Sequence, residues 1–257
     1  MSTFTPRPGS TPLARQVAAQ ARMEARLMLR NGEQLLLALV IPVIVLVGGV
    51  LAAERLDLDL SGHDPVDVLT PGVLALAVMS TAFTSLAIAT GFERRYGVLK
   101  RLGASPLPRS GLLAGKVLAL LAVEVLQVVV IGAIALLLGW APATSPTAVG
   151  GLVLALVLGT AAFAGLGLLM AGALRAEATL AAANLVYLLL LVGGAVVLPL
   201  SAYGGAGELV QWLPSAALGD AVRAALLEAR VAVVDLVVLL VWAVVAAVLT
   251  ARTFRWE

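Results

Sequence analysis

The feature that most constrains this chain is a series of six apolar stretches, each long enough to cross a lipid bilayer. They are 19 to 23 residues long and cover residues 35–53, 73–92, 117–139, 152–174, 180–200 and 231–250. A hydrocarbon core about 30 Å thick needs about 20 apolar residues in a helix. Lipid offers no hydrogen bonds to the backbone, so each span must be helical. The sequence therefore predicts an all-α membrane protein with six transmembrane helices.

The composition of the chain agrees with this fold class. Apolar residues make up 61% of the 257 positions and charged residues 12%, and the mean hydropathy is +1.05. Soluble domains carry about 25% charged residues. Such a chain therefore needs lipid around most of its helices.

The positive charges outside the spans predict the orientation. One side of the membrane receives 14 of the 17 lysines and arginines, and the other receives only Arg55, Arg223 and Arg230. Cytoplasmic loops carry the excess of positive charge. We therefore expect cytoplasmic N- and C-termini, in the inner (plasma) membrane of a bacterial cell. Residues 1–12 are expected to be a disordered cytoplasmic tail without a cleavable signal peptide, and residues 13–257 a single transmembrane domain.

Two further segments have a helical pattern without being full spans. Residues 13–31 predict an amphipathic helix at the cytoplasmic membrane surface, or alternatively a positively charged flank that only fixes the topology. Pro199 is expected to end span five. Residues 201–230 then predict short re-entrant helices between spans five and six, with a structured external loop as the alternative.

The loop between spans two and three has the pattern of a docking element. Residues 93–102 predict a short helix in which Leu99 and Leu102 lie beside charged residues. Gly103 to Pro108 then supply a stop and a turn. A short amphipathic helix with apolar side chains and a charged rim suits a groove on a soluble partner.

This loop resembles the intracellular loop of ABC type-2 transporter permeases, in which the short helix is the coupling helix that contacts the nucleotide-binding subunit. The resemblance extends to Arg30-Asn31, Pro42, Glu124, Gln127, Asn184, Pro199 and Leu213-Pro214. Arg95 and Val98 depart from the residues usual in the family. It implies that the following residues couple the chain to an ATPase: Glu93, Arg94, Arg95, Gly97, Leu99, Lys100, Arg101, Leu102, Gly103, Ser105, Pro106 and Leu107.

The resemblance also implies the partners. Two permease chains, as a homodimer or a related heterodimer, would work with two ABC ATPase subunits that carry ATP and Mg²⁺. A phosphate-binding loop needs G-x-x-x-x-G-K-[ST] after a strand. The nearest match, Gly111 to Val117, has too few residues between its glycines and leads into a span. We therefore expect no cofactor on this chain, and an ATPase on a separate one.

Several polar residues lie inside the spans. Glu124 and Gln127 share one face of span three, and an ionised carboxylate there costs at least about 2.5 kcal/mol unless it faces protein or water. The pair fits either the substrate path or a polar clamp between helices. Asn184 and Tyr187 in span five have similar spacing and are expected to meet that face, more in keeping with a clamp.

The sequence thus favours the permease subunit of an ATP-driven exporter for an amphipathic or lipid-like substrate, although drugs, peptides, haem and polysaccharide precursors also fit, and import is a weaker alternative. A proton-coupled secondary transporter that uses Glu124 is the second hypothesis, weakened by the lack of inverted repeats. A membrane enzyme is disfavoured, because the chain has no cysteine and a single histidine, His63. Ser80, Thr81, Thr84 and Ser85 have no base near them in sequence.

Overall fold

The structure, a computed structural model, describes residues 11–56, 62–103 and 107–253. Most of the expected tail at residues 1–12 lies outside these ranges, as do Ser105 and Pro106. The protein is 84% helical, and no strand is present in the described ranges. The α-helices are α1 (Leu13–Arg30), α2 (Gly32–Arg55), α3 (Pro65–Met79), α4 (Leu86–Arg95), α5 (Val98–Gly103), α6 (Arg109–Leu137), α7 (Pro146–Ala173), α8 (Ala176–Gly193), α9 (Gly207–Val210), α10 (Pro214–Leu226) and α11 (Val233–Thr253).

The six predicted spans are confirmed as six helices long and apolar enough to cross a membrane. Spans one, three, four, five and six are α2, α6, α7, α8 and α11. Span two runs from Pro65 to Arg95 and consists of α3, a π-helical turn at Ser80–Ser85, and α4. It is the most buried of the six and packs against spans one, three, four and five and against α10. Span two is therefore the central helix of the bundle.

Spans two and three begin earlier than hydropathy predicted. Span two begins at Pro65 rather than residue 73, with the proline in the first turn, where its missing N–H costs no hydrogen bond. Span three begins at Arg109 rather than residue 117. The apolar windows started only after Thr70 and Lys116, yet both side chains are buried and bonded within the bundle. Their bonds let the helices extend past residues that hydropathy counts as polar.

Span five ends earlier than predicted, so the prediction that Pro199 ends it is wrong. The helix stops at Gly193, and Ala195 has a left-handed φ of 50°. A Cβ on Gly194 would come within 2.9 Å of Leu190 Cα, a contact that only glycine avoids. The chain then runs without helix to a 3₁₀ turn at Leu200–Ala206. Span five is thus 18 residues long.

The short helices predicted outside the spans are present. α1 packs along span three, and its buried side chains are the polar Gln20 and Glu24, while Met23 and Leu27 are exposed. α9 and α10 lie between spans five and six, as predicted, and α10 is almost wholly buried. Two predictions stay untested: that α1 lies on the membrane surface, and that α10 enters the membrane.

Candidate functional site

Three consecutive side chains at the end of span two contact three different parts of the bundle. Glu93 faces the start of span three, Arg94 the end of span four, and Arg95 the start of span five. α1 packs against the same part of span three, and α5 follows directly in the chain. We call this region, made of α1, residues 93–103, the start of span three and the turn at 174–175, the charged end.

Glu93 belongs to a buried ionic cluster. The Lys116 Nζ lies 2.8 Å from both carboxylate oxygens of Glu93 and 3.0 Å from Glu24 Oε1. The Gln20 side-chain amide donates a further hydrogen bond of 2.8 Å to Glu24. Gly115 lets α1 approach, because a Cβ there would lie 2.6 Å from Gln20 Cγ. The cluster joins α1, span two and span three through ionic contacts. Charged side chains inside a membrane protein need an oppositely charged partner, and each of these three has one.

Arg94 caps the end of span four. Its guanidinium donates to the carbonyl of Gly172 at 2.6 Å and to the carbonyl of Leu174. These carbonyls belong to the last turn of the helix, where they have no helical partner and carry partial negative charge. Arg95 pairs with Glu177 at the start of span five, but both side chains are at least half exposed, so this pair contributes little to stability.

The prediction of a single helix over residues 93–102 is wrong. Span two ends at Arg95, Gly97 adopts a φ of 68°, and α5 begins at Val98. A left-handed glycine just after the last helical turn is a usual helix stop. The chain therefore changes direction between the bonded residues 93–95 and α5.

The exposed surface of α5 differs from the expectation. Leu99 is only 4% exposed and Leu107 is also buried, so the prediction that Leu99 projects toward a partner is wrong, and it instead anchors α5 to the protein. Leu102 is half-buried. The residues that α5 and its approach leave exposed are Tyr96, Val98, Lys100 and Arg101. Gly103 ends the helix.

Span three runs from Arg109 to Leu137, so Glu124 and Gln127 lie near the middle of that helix. Both are 1% exposed. The Thr160 hydroxyl donates to Glu124 Oε2 at 2.6 Å and ties span three to span four. The Gln127 amide donates to the Ala38 carbonyl and to the Thr81 hydroxyl, each at 2.8 Å, and ties span three to spans one and two. This geometry is that of a polar clamp.

Asn184 and Tyr187 do not join that clamp but line a cavity of about 480 Å³ between spans one, two and five. The π-helical turn of span two forms its wall through Ser80, Thr84 and Ser85. π turns within α-helices occur frequently at functional sites. In the sequence these hydroxyl residues were recognisable only as unlikely nucleophiles, and no pattern placed them in a binding site.

A buried arginine organises the opposite end of the bundle. Arg223 on α10 is 5% exposed and donates to the carbonyls of Ala195, Val196 and Leu198 at 3.2, 2.8 and 2.9 Å. It also pairs with Asp220. Burial raises the pKa of Asp220 and lowers that of Arg223, and the attraction between the two groups opposes both shifts.

Part of the charged end was predictable from the sequence, but its bonding partners were not. Glu93, Arg94 and Arg95 were singled out, and the structure gives each a contact. Gln20, Glu24 and Glu177 were not singled out, although Glu24 is the only acidic residue among the arginines of α1. Arg223 was counted only as a charge, because backbone carbonyl partners leave no sequence pattern.

A family model described as ABC-2 type transporter matches residues 15–227, which includes the charged end, the cavity and α10. No curated protein matches the chain.

Proposed function

This chain belongs to the ABC-2 type transporter family, and on that premise we propose that it is the permease of an ATP-driven exporter whose ATPase is a separate chain. The chain is a multi-pass transporter membrane subunit, and members of its family generally work with an ABC ATPase partner. ATP and Mg²⁺ would be held by that partner. The transported molecule would be amphipathic or lipid-like and would leave the cytoplasm or the inner leaflet.

The observation that carries the proposal is the bonding of residues 93–95. A helix pushed by a partner transmits force only if it is attached to the spans. α5 follows span two after two residues, Tyr96 and Gly97, and span two is bonded at that point to spans three, four and five, and through Lys116 of span three to α1. A displacement of α5 would therefore move five helices together.

The surface that would meet the ATPase is the exposed side of α5 with Tyr96. Arg95 lies over the Tyr96 ring, with its guanidinium carbon 5.8 Å from the ring centroid, and the Phe92 ring stacks on that of Tyr96 with the two centroids 6.2 Å apart. Aromatic and arginine side chains are enriched at protein interfaces. Together with Lys100 and Arg101, this surface suits a groove with acidic residues at its rim.

The orientation and the assembly are also parts of the proposal. The described lysines and arginines of α1, α5 and the turn at Arg175 lie at the charged end, which supports placing it in the cytoplasm of a bacterial cell. Spans one and five expose large apolar side chains such as Ile44, Leu189 and Val192. These faces suit a second permease copy or a related chain across the transport path, with the 480 Å³ cavity opening onto that path.

Purification of the complete complex from native membranes tests the proposal. An affinity-tagged chain should co-purify with an ABC ATPase in stoichiometric amount. ATP hydrolysis should be found in the fractions that contain both chains. Replacing Tyr96 by Ala and both Lys100 and Arg101 by Glu should abolish the association without unfolding the chain, because all three side chains are exposed. Glu208→Lys, an exposed charge reversal at the opposite end, is the matched control. The proposal fails if no ATPase is recovered, or if the triple variant retains it.

A further inference from the structure

The cavity between spans one, two and five restricts the chemistry of what it can hold. We propose that it binds an uncharged molecule whose hydrogen-bonding groups enter deepest, an inference that rests on the transport function proposed above. Its volume of about 480 Å³ lies within the range of about 300–1,000 Å³ usual for small-molecule sites.

Among the side chains that the structure describes, the lining of the cavity carries no charge. Its polar groups are hydroxyls and amides, from Asn31, Ser80, Thr84, Ser85, Asn184 and Tyr187, and the rest of the lining is apolar. A charged group inside a membrane protein requires an opposite charge or water beside it. Glu93 and Arg94, the charged side chains that follow Phe92, are bonded elsewhere, and Arg30, which precedes Asn31, is exposed at the surface. The lining therefore favours an uncharged ligand.

The polarity of the cavity changes along its length. Ser80, Thr84, Ile88 and Phe92 follow one another at four-residue spacing and so share one face of span two. Phe92 lies near the charged end, and Ser80 lies about 18 Å deeper at 1.5 Å per residue, close to the middle of the bilayer. Leu180, Asn184 and Tyr187 repeat the order on span five, apolar near the charged end and polar at depth.

The polar groups at the deep end can form further hydrogen bonds. The Thr84 hydroxyl is buried and has no hydrogen-bond partner among the described residues. Asn184 is exposed to the cavity. Tyr187 lies with its hydroxyl near Ser80, on the π-helical turn. Buried polar groups without partners are costly, so a ligand that pairs with them gains affinity.

This order of polarity is opposite to that of a membrane phospholipid. A phospholipid in the leaflet at the charged end keeps its charged headgroup at the surface and its acyl chains at mid-bilayer. In this cavity the acyl chains would meet Ser80, Thr84 and Tyr187, and the headgroup would meet Phe92 and Leu180, with the uncharged amide of Asn31 as the polar side chain of the lining at that end. The site instead suits a molecule with hydroxyl, amide or carbonyl groups at one end and an apolar part directed toward the charged end.

Binding of matched probes to the full chain and its ATPase, held in phospholipid nanodiscs, tests this inference. Tritiated octyl glucoside is the uncharged, hydroxyl-bearing probe, and octyl sulfate and octyltrimethylammonium share its tail but carry a charge. We expect saturable binding of octyl glucoside despite the excess of phospholipid. The two charged compounds should displace it at least about tenfold less well than unlabelled octyl glucoside, as expected for an unpaired charge.

Variants of one residue separate binding from folding. Thr84→Val should weaken binding about fivefold, the usual effect of one lost hydrogen bond, and Thr84→Ser should restore it. Thr90→Val, the same change at a buried threonine of span two outside the cavity lining, should leave binding unchanged. Equal displacement by all three compounds, absence of octyl glucoside binding, or equal effects of Thr84→Val and Thr90→Val would overturn the inference. ATPase recovery in the same preparations shows independently whether the proposed function stands.

Discussion

Lys116 of span three and Glu93 of span two form a buried ion pair, with the ammonium nitrogen 2.8 Å from both carboxylate oxygens. Glu24 of α1 lies on the other side of the same ammonium at 3.0 Å. One lysine thus bridges two carboxylates from two different helices. The cluster is the point at which the amphipathic helix, the central span and span three are held together.

Removal of the lysine should therefore destabilise the protein strongly. Lys116→Met leaves Glu24 and Glu93 without their cation, and breaking a buried pair in this way costs about 3–5 kcal/mol. We expect a clear fall in the thermal unfolding midpoint of the purified chain in detergent. Lys100→Met, which removes an exposed lysine nearby, should have almost no effect. Equal midpoints for Lys116→Met and the unmodified chain would show that the cluster is not stabilising.

Two glycines of span four should respond to alanine with opposite signs. A Cβ at Gly167 would lie 2.8 Å from the Phe83 carbonyl of the π-helical turn, whereas one at Gly150 would meet nothing within 4 Å. Gly167→Ala should cost about 1–3 kcal/mol through overpacking. Gly150→Ala should gain about 0.5–1 kcal/mol from the lower backbone entropy of the unfolded chain. Unfolding midpoints of the two variants, measured side by side, check both signs.

The absence of cysteine from the sequence makes orientation directly testable. Lys100→Cys and Leu209→Cys place single thiols at exposed positions on the two ends of the bundle. A membrane-impermeant maleimide should label Lys100→Cys only in inverted vesicles stripped of the ATPase that would cover it, and Leu209→Cys only in intact spheroplasts. The unmodified chain is the control and should take up no label. The opposite pattern would reverse the orientation that the charge distribution predicts.

Glu124→Gln distinguishes ATP-driven from proton-coupled transport. Glutamine can still accept the Thr160 hydrogen bond, so the clamp between spans three and four should persist. For an ATP-driven permease, ATP hydrolysis by the reconstituted complex should stay within about twofold of the unmodified complex, as expected when a hydrogen bond is retained. A protonophore should not change it. A flux that depends on the pH gradient and is lost in Glu124→Gln would instead support the proton-coupled alternative.

The fold was predictable where one physical property dominated the sequence. Six apolar stretches predicted six helices, because the bilayer fixes both their length and their hydrogen bonding. The beginnings of spans two and three were not predictable, because Lys116 counts as polar in hydropathy although the fold gives it two carboxylates. The segment after span five is held by Arg223, which is distant in sequence and donates to its backbone carbonyls, so the early end of the helix had no sequence signal.

The candidate site was predictable to the same extent. Residues 93–95 stood out as charges at the end of an apolar stretch, but their partners became visible only in three dimensions. Leu99 looked like a docking side chain, because a short helix does not reveal which of its faces packs inward. The cavity was missed since hydroxyl residues at four-residue spacing in a span predict equally well a clamp, a packing surface or a site.

Arg223 should control the segment between span five and the following 3₁₀ turn. Its guanidinium satisfies carbonyls of Ala195, Val196 and Leu198, and Val196 is completely buried. Arg223→Ala leaves these carbonyls and Asp220 without their partner, at a cost of about 1–3 kcal/mol for each group that stays buried. The segment should therefore open before the rest of the protein unfolds.

Thiol labelling of Val196→Cys measures that opening, since the rest of the chain contributes no cysteine. In the presence of Arg223 the thiol should be protected, and Arg223→Ala should raise the labelling rate on the order of tenfold or more, the factor that corresponds to one lost buried hydrogen bond. Arg223→Lys keeps the charge beside Asp220 but cannot reach all three carbonyls, so its rate should lie between the two. Arg230→Ala, which removes an exposed pair with Glu228, is the control. An unchanged rate in Arg223→Ala would mean that packing of Val196, and not the guanidinium, holds the segment closed.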